Sequence, residues 1–439
     1  MQKKDIFKRL IIDAQEREYP SVKERDLKLP FEPSRIITII GARRTGKTYL
    51  LFSMIKKLRE KLSRKVSVYI NFEDDRLFPL KINELDQLLD AYYELYPEMK
   101  EQKVYFFFDE VQNVEGWERF VRRVYDTENC YIYITGSSSK MLSKEIATSL
   151  RGRSLSYEVF PYSFREYLRI RQVDIDFHSS KKTAAIRHEL MQYLETGAFP
   201  ELIHMEPMER HQALEQYIDL MLYRDIIERY KISNHQLLRY LLKFLLINCG
   251  NPVSINKIYH DFRSQGWSLS KNSLYECLGY LEEAYTLFSV LKYSNNIRER
   301  QRNPRKIYAL DIGLKRAVSP TADMGRLYEM VVFQQLRRHY HPIYYWQGKQ
   351  EVDFIVPEHD QSTSQLVNVC YDINDHHTNK REINGLNEAM DKLNISNSTL
   401  ISGSVEKELT VGNKTITIIP LWKWLLEHSF ASREIRSKK

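Results

Sequence analysis

Eight consecutive residues carry the strongest chemical signal in the chain: Gly41, Ala42, Arg43, Arg44, Thr45, Gly46, Lys47 and Thr48. Their order satisfies the pattern Gly-x4-Gly-Lys-Ser/Thr, which cradles nucleotide phosphates. Gly41 and Gly46 free the backbone to curl, so that successive N–H groups face one point. A helix starting there adds partial positive charge. Lys47 is expected to reach the β- and γ-phosphates of ATP as a cation, and Thr48 to offer a hydroxyl ligand to Mg²⁺. A chance glycine-rich turn is the alternative, and the flanks speak against it. Residues 35–40 form a short β-branched run that suits a buried strand, and Leu50, Leu51, Met54, Ile55 and Leu58 follow at helical spacing.

A second signal is acidic. Phe106, Phe107 and Phe108 mark a buried strand that ends in Asp109 and Glu110, and reacting groups belong at the carboxyl ends of such strands. Asp109 is expected to hold Mg²⁺ through water and Glu110 to polarise the attacking water. A strand that merely ends in exposed acids is the competing reading, weakened by the complete loop at 41–48. A third strand end supplies Thr135 and Ser137, either of which could hydrogen-bond the γ-phosphate or the water, or simply form a turn. Residues 71–75 add acidity near the same edge without a role that spacing assigns. Arg151 and Arg153 open the last strand. Arg153 could act as an arginine finger toward a neighbouring subunit's phosphate, which would require a homo-oligomer; a surface arginine near a loop is the plainer reading.

These residues need a scaffold. Strand-like runs at 35–40, 66–72, 104–108, 131–135 and 155–160 alternate with helical patterns at 85–96 and 117–125. Such alternation predicts an α/β fold with a mainly parallel sheet. Beyond Phe160 the pattern is almost wholly helical to about residue 248, with a Gly-Ala-Phe-Pro break at 197–200. Residues 254–293 read as a winged helix-turn-helix, with a first helix at 254–263, a turn at 266–270 and a recognition helix at 271–283. Leu274, Leu278 and Leu281 would be its buried stripe and Ser270 its cap. Lys271, Asn272 and Tyr275 would face double-stranded DNA, with Arg298, Arg300, Arg302, Arg305 and Lys306 as phosphate contacts of the wing. Glu276, Glu282 and Glu283 on the same helix favour the alternative, a winged helix used for packing.

Composition narrows the class without choosing among partners. The chain has 439 residues and a net charge of +8, which permits contact with nucleic acid but does not demand it. The four cysteines, Cys130, Cys249, Cys277 and Cys370, are scattered with no Cys-x-x-Cys, as expected of reduced buried thiols rather than disulfides or zinc ligands. No apolar run reaches the length of a membrane span, so a cytoplasmic location is the expectation.

Taken in order, the segments GARRTGKT, NFEDD, FFFDEVQN, ITGSSSKML, LRGRS, FPYSFREYL and GAFPE resemble the AAA-type ATPases, found mainly in archaea and bacteria, that carry a C-terminal domain of unknown function related to restriction endonucleases. The resemblance implies a P-loop core (1–165), a helical lid (166–234), a winged helix-turn-helix (235–315) and an endonuclease-like α/β domain (316–439). It places Lys47, Thr48, Asp109 and Glu110 on the family's nucleotide-handling positions. In the last domain Glu329 and Asp353 match expected metal-binding acids. The next strand, where a second carboxylate and a lysine are needed, carries Asn368 and Cys370; neither replaces its counterpart, so a fold that does not cut is expected. Two functions stay open. One is an ATPase whose nucleotide state changes its domain arrangement, with DNA or a protein as partner. The other is a slow nucleotide switch that scaffolds protein interactions without touching DNA.

Overall fold

Runs of β-branched and aromatic side chains build the first sheet. In the computed structural model, which describes residues 2–20, 22–136, 148–319, 321, 323–357, 364–373 and 376–427, these runs are β1 (Ile36–Ile40), β2 (Ser67–Asn71), β3 (Val104–Asp109), β4 (Cys130–Gly136) and β5 (Ser154–Glu158). Among the described residues they form a five-stranded sheet in the order β2-β3-β4-β1-β5, and every pairing is parallel. The central strands are buried on both faces, as an all-parallel sheet requires: all five residues of β1 and all six of β3 are inaccessible. The helices Lys3–Glu16, Lys47–Arg59, Asp86–Leu95 and Trp117–Thr127 are the described α-helices of this region. The expected parallel α/β core is therefore observed. It belongs to a first compact unit, residues 1–160.

The second unit spans 161–439. It opens with helices, including Phe164–Ile170, Ser180–Thr196, Pro207–Leu222 and His235–Ile247. Then come β6 (Pro252–Val253), the helices Ile255–Ser264 and Lys271–Glu283, β7 (Leu287–Lys292), a short helix Ile297–Arg302 and β8 (Arg305–Ala309). The helix at 271–283 starts where its cap predicts: Ser270 accepts from the Ser273 N–H and Ser273 returns a bond to the Ser270 N–H.

A helix Met324–Arg337 leads into β9 (Tyr344–Gln347), β10 (Glu351–Val356), β11 (Gln365–Cys370), β12 (Asn397–Ser402), β13 (Lys407–Val411) and β14 (Lys414–Pro420). These strands and β6–β8 join in one sheet, ordered β13-β14-β12-β11-β10-β9-β7-β8-β6 among the described residues. The seam is a parallel pairing of Leu291 with Tyr344 and Lys292 with Tyr345. All four cysteines are buried and free. No described helix is long and apolar enough to cross a membrane.

Candidate nucleotide site and a second polar centre

The loop at 41–48 leaves β1 and enters the helix Lys47–Arg59 through Gly46, whose φ of 94° is a left-handed cap. Gly41 has a φ of 145°, and a Cβ built there would lie 2.3 Å from the Val159 carbonyl oxygen. Only glycine fits this backbone, which passes against the chain leaving β5. Lys47 is 5% exposed. Its ammonium donates to the Ala42 and Gly41 carbonyls at 2.9 and 3.1 Å, held inside the curl it is expected to serve. The Thr45 hydroxyl closes the loop onto the Ala42 carbonyl at 2.9 Å. Arg25 adds a clamp from outside the motif, donating to the Thr45 carbonyl at 3.0 Å and the Phe160 carbonyl at 2.7 Å.

Parallel register delivers the acids to the same sheet end. Ile40 pairs with Gly136 on β4, Phe108 pairs with Ile134, and Asp109 pairs with Asn71 on β2. Asp109 is 1% exposed. One carboxylate oxygen accepts from the Tyr69 hydroxyl at 2.7 Å and the other from the Thr135 hydroxyl. Burial pushes the Asp109 carboxyl above its ordinary value. The Thr135, Tyr69 and Thr48 hydroxyls, by donating to the charged form, pull it back.

Glu110 has a φ of 51°, a left-handed conformation that costs a non-glycine residue about 1–3 kcal/mol and tends to occur at functional sites. Its N–H donates to the Thr135 hydroxyl at 3.0 Å, and its carboxylate accepts from the Gln112 amide. Glu73, just past β2, faces the same acids. Burial and then Glu110 raise its carboxyl, while Arg43 of the loop, 3.7 Å away, opposes them.

Lys47, Thr48, Asp109, Glu110 and Thr135 are thus brought together. Ser137 lies outside the described residues. Arg153 is elsewhere: its carbonyl accepts from the N–H of Ile36 at the start of β1, the sheet end opposite the loop, and its guanidinium bonds Asp126 at 2.9 Å. Tyr69, Arg25 and Glu73 belong to the site without a motif to mark them. Only the acidity of 71–75 hinted at Glu73.

In the second unit Lys271, Asn272 and Tyr275 are all exposed near the start of their helix, and Leu274, Leu278 and Leu281 are buried. Cations lie over aromatic rings here: Lys271 over Tyr259 at 5.4 Å and Arg305 over Tyr275 at 5.8 Å. Lys306 does not join them, contrary to expectation. Its side chain is 0% exposed and forms ion pairs with Glu329, Glu351 and Asp353 at 2.7, 2.7 and 2.8 Å. Strand residues alternate between faces, so Arg305 points outward and Lys306 inward. Asn368 works as a brace, accepting from the Asp353 N–H at 2.9 Å and donating to Glu382 at 2.6 Å. Cys370 is buried, and burial pushes its thiol up to about 12.

Three stretches of the chain match known protein families. Residues 33–168 match the AAA domain, residues 187–324 a domain of unknown function (DUF8612), and residues 324–424 another (DUF4143). An uncharacterized protein of Methanocaldococcus jannaschii, MJ1544, is 34% identical over 441 residues, covering 97% of this chain and 96% of its own. An uncharacterized protein of Haemophilus influenzae is 27% identical over 405 residues, with 91% and 96% covered. Among solved structures, the Aeropyrum pernix ORC1 protein in complex with DNA is a remote likeness, with 13% identity, 72% of this chain and 91% of that chain covered, and a TM-score of 0.30.

Proposed function

This chain belongs to the family of the Methanocaldococcus jannaschii protein MJ1544, and we propose that it is a magnesium-dependent ATPase whose nucleotide state is coupled to the arrangement of its domains and to DNA. The observation that carries the proposal is the convergence of Lys47, Thr48, Asp109 and Glu110 at one end of the parallel sheet, around a loop that only glycine at 41 permits. The residues suit Mg²⁺ and ATP: a curled backbone with a buried ammonium for the phosphates, and a hydroxyl beside a buried carboxylate for a hard cation. Mg²⁺, when bound, draws charge from the phosphate oxygens. Lys47 exchanges the Gly41 and Ala42 carbonyls for phosphate oxygens. Glu110 orients the attacking water and accepts its proton, and Thr135 ties the Glu110 backbone to the Asp109 carboxylate. Arg153 is kept for a role toward a second copy.

Tyr69 is a positioning residue in this scheme. A hydrogen bond to a charged group contributes about 1.5–3 kcal/mol. Tyr69→Phe is therefore expected to raise the Mg²⁺ concentration for half-maximal hydrolysis by roughly tenfold, with ATP affinity in EDTA unchanged. A rate that falls with no shift in the Mg²⁺ dependence would remove Tyr69 from this role.

We place DNA on the exposed start of the Lys271–Glu283 helix. The order β6, two helices, β7 and β8 supports a winged-helix reading, and the Lys271 and Arg305 cations support phosphate contact. Lys271→Glu is expected to weaken double-stranded DNA binding and to reduce the slope of log affinity against log salt by about one or more. An unchanged affinity and slope would take the DNA surface away from this helix. The segment 316–439 does not cut DNA in this reading, since Asn368 and Cys370 supply neither charge a metal-dependent nuclease needs.

A further inference from the structure

A buried lysine is unusual enough to need a reason. Lysine is almost never fully buried unless paired, and an unpaired ammonium in a protein interior is strongly unfavourable. Lys306 lies on β8 with its side chain 0% exposed. An ammonium has three N–H donors. Three carboxylates surround it: it donates to Glu329 Oε1 at 2.7 Å and Asp353 Oδ1 at 2.8 Å, and it forms an ion pair with Glu351 Oε1 at 2.7 Å. The carboxylates come from two elements, the helix Met324–Arg337 and β10, where Glu351 and Asp353 are two apart and share a face.

Glu329 and Asp353 are also held from their other sides, while Glu351, 30% exposed, forms the outer edge of the cluster. Glu329 Oε1 accepts from the Tyr308 hydroxyl at 2.7 Å and Oε2 from Arg326 at 2.9 Å. Asp353 Oδ2 accepts from the Val369 N–H at 2.9 Å. Burial pushes the Lys306 ammonium toward neutrality, and Asp353, Glu329 and Glu351 more than reverse this, so it stays charged.

Three carboxylate oxygens converging on one buried positive charge is the coordination that a hard divalent cation asks for. Among the described residues no His, Cys, Asp or Glu group is arranged to hold a metal ion as it stands. At 2.7–2.8 Å the three oxygens are spaced for an ammonium, whereas a divalent ion would draw them to roughly 2.0–2.6 Å. We propose that Lys306 is the resident cation of this centre: it fills the place of a divalent metal, closes the Glu329–Glu351–Asp353 cluster to exchangeable ions and ties β8 to β10 and the helix at 324–337. This inference does not rest on the ATPase reading.

Full-length protein without nucleotide, titrated with Mn²⁺ and followed by the electron paramagnetic resonance signal of the free ion, tests it. Wild type and Asp353→Asn are expected to bind the same amount of Mn²⁺. Lys306→Gln is expected to gain one site, with a dissociation constant on the order of 10⁻⁴ M or tighter, and Lys306→Gln/Asp353→Asn to lose it. An Mn²⁺ site in wild type that Asp353→Asn abolishes would overturn the proposal, as would a folded Lys306→Gln protein that gains none. If Lys306→Gln is unfolded in EDTA, recovery of its circular dichroism on adding Mn²⁺ supports the proposal, and no recovery overturns it.

Discussion

Glu110→Gln is expected to slow ATP hydrolysis by at least about a hundredfold, the low end of what a positioned proton acceptor contributes, while ATP still binds. Glutamine keeps the size of the side chain and can still bond the Gln112 amide. The backbone bond from residue 110 to Thr135 does not involve the changed group. What is lost is the carboxylate that takes the water's proton. Glu110 also helps to raise the neighbouring Glu73 carboxyl, so removing its charge relieves repulsion beside the phosphates. ATP affinity should therefore stay level or tighten. Steady-state phosphate release and nucleotide titration calorimetry on the same preparation separate the two effects. A variant that hydrolyses at the wild-type rate would assign the water-activating role to another group, with Glu73 the nearest candidate.

Gly41→Ala is expected to weaken nucleotide binding itself. The added methyl meets the Val159 carbonyl oxygen at 2.3 Å, which is backbone beside a residue whose N–H is bonded to the Ile40 carbonyl at 2.8 Å. The strained φ and the clash together cost roughly 2–4 kcal/mol. They are relieved only by moving the loop away from β5. Lys47 and the Thr45 hydroxyl bond the Gly41 and Ala42 carbonyls, so the displacement scatters the phosphate-facing groups. Calorimetry should show ATP affinity reduced at least about tenfold, the equivalent of 1.4 kcal/mol, with a lowered thermal midpoint. Wild-type affinity in Gly41→Ala would mean that the loop does not hold the phosphates in the conformation described.

The nucleotide half was legible because its signals are local. A β-branched run, a glycine-framed loop and an amphipathic helix follow one another in the chain, and the strands are buried on both faces, so they read as unbroken apolar segments. The helix 271–283 was legible for the same reason, its cap and leucine stripe lying within one short stretch.

The C-terminal sheet was harder. β13 is almost wholly exposed, and β14 opens on half-buried Lys414 and Thr415 and is interrupted by exposed Thr417, so neither offers the long apolar run that marks a central strand. Lys306 looked like one more member of a basic stretch, because the alternation that separates it from Arg305 appears only once β8 is known to be a strand. Its carboxylates lie 23 to 47 residues away in sequence, and no local pattern reports such a meeting. Tyr69 is a similar case. On its strand it reads as a core aromatic, and its hydroxyl acquires a purpose only when β3 is placed beside β2.

Hydrolysis coupled to DNA is read from the ATPase rate of the purified chain in Mg²⁺ and in EDTA, each with and without double-stranded DNA. Hydrolysis is expected to require Mg²⁺ and to rise when DNA is added. ATP that binds but is not hydrolysed above background, with no response to DNA, would contradict it and leave the chain a nucleotide-dependent switch for protein partners.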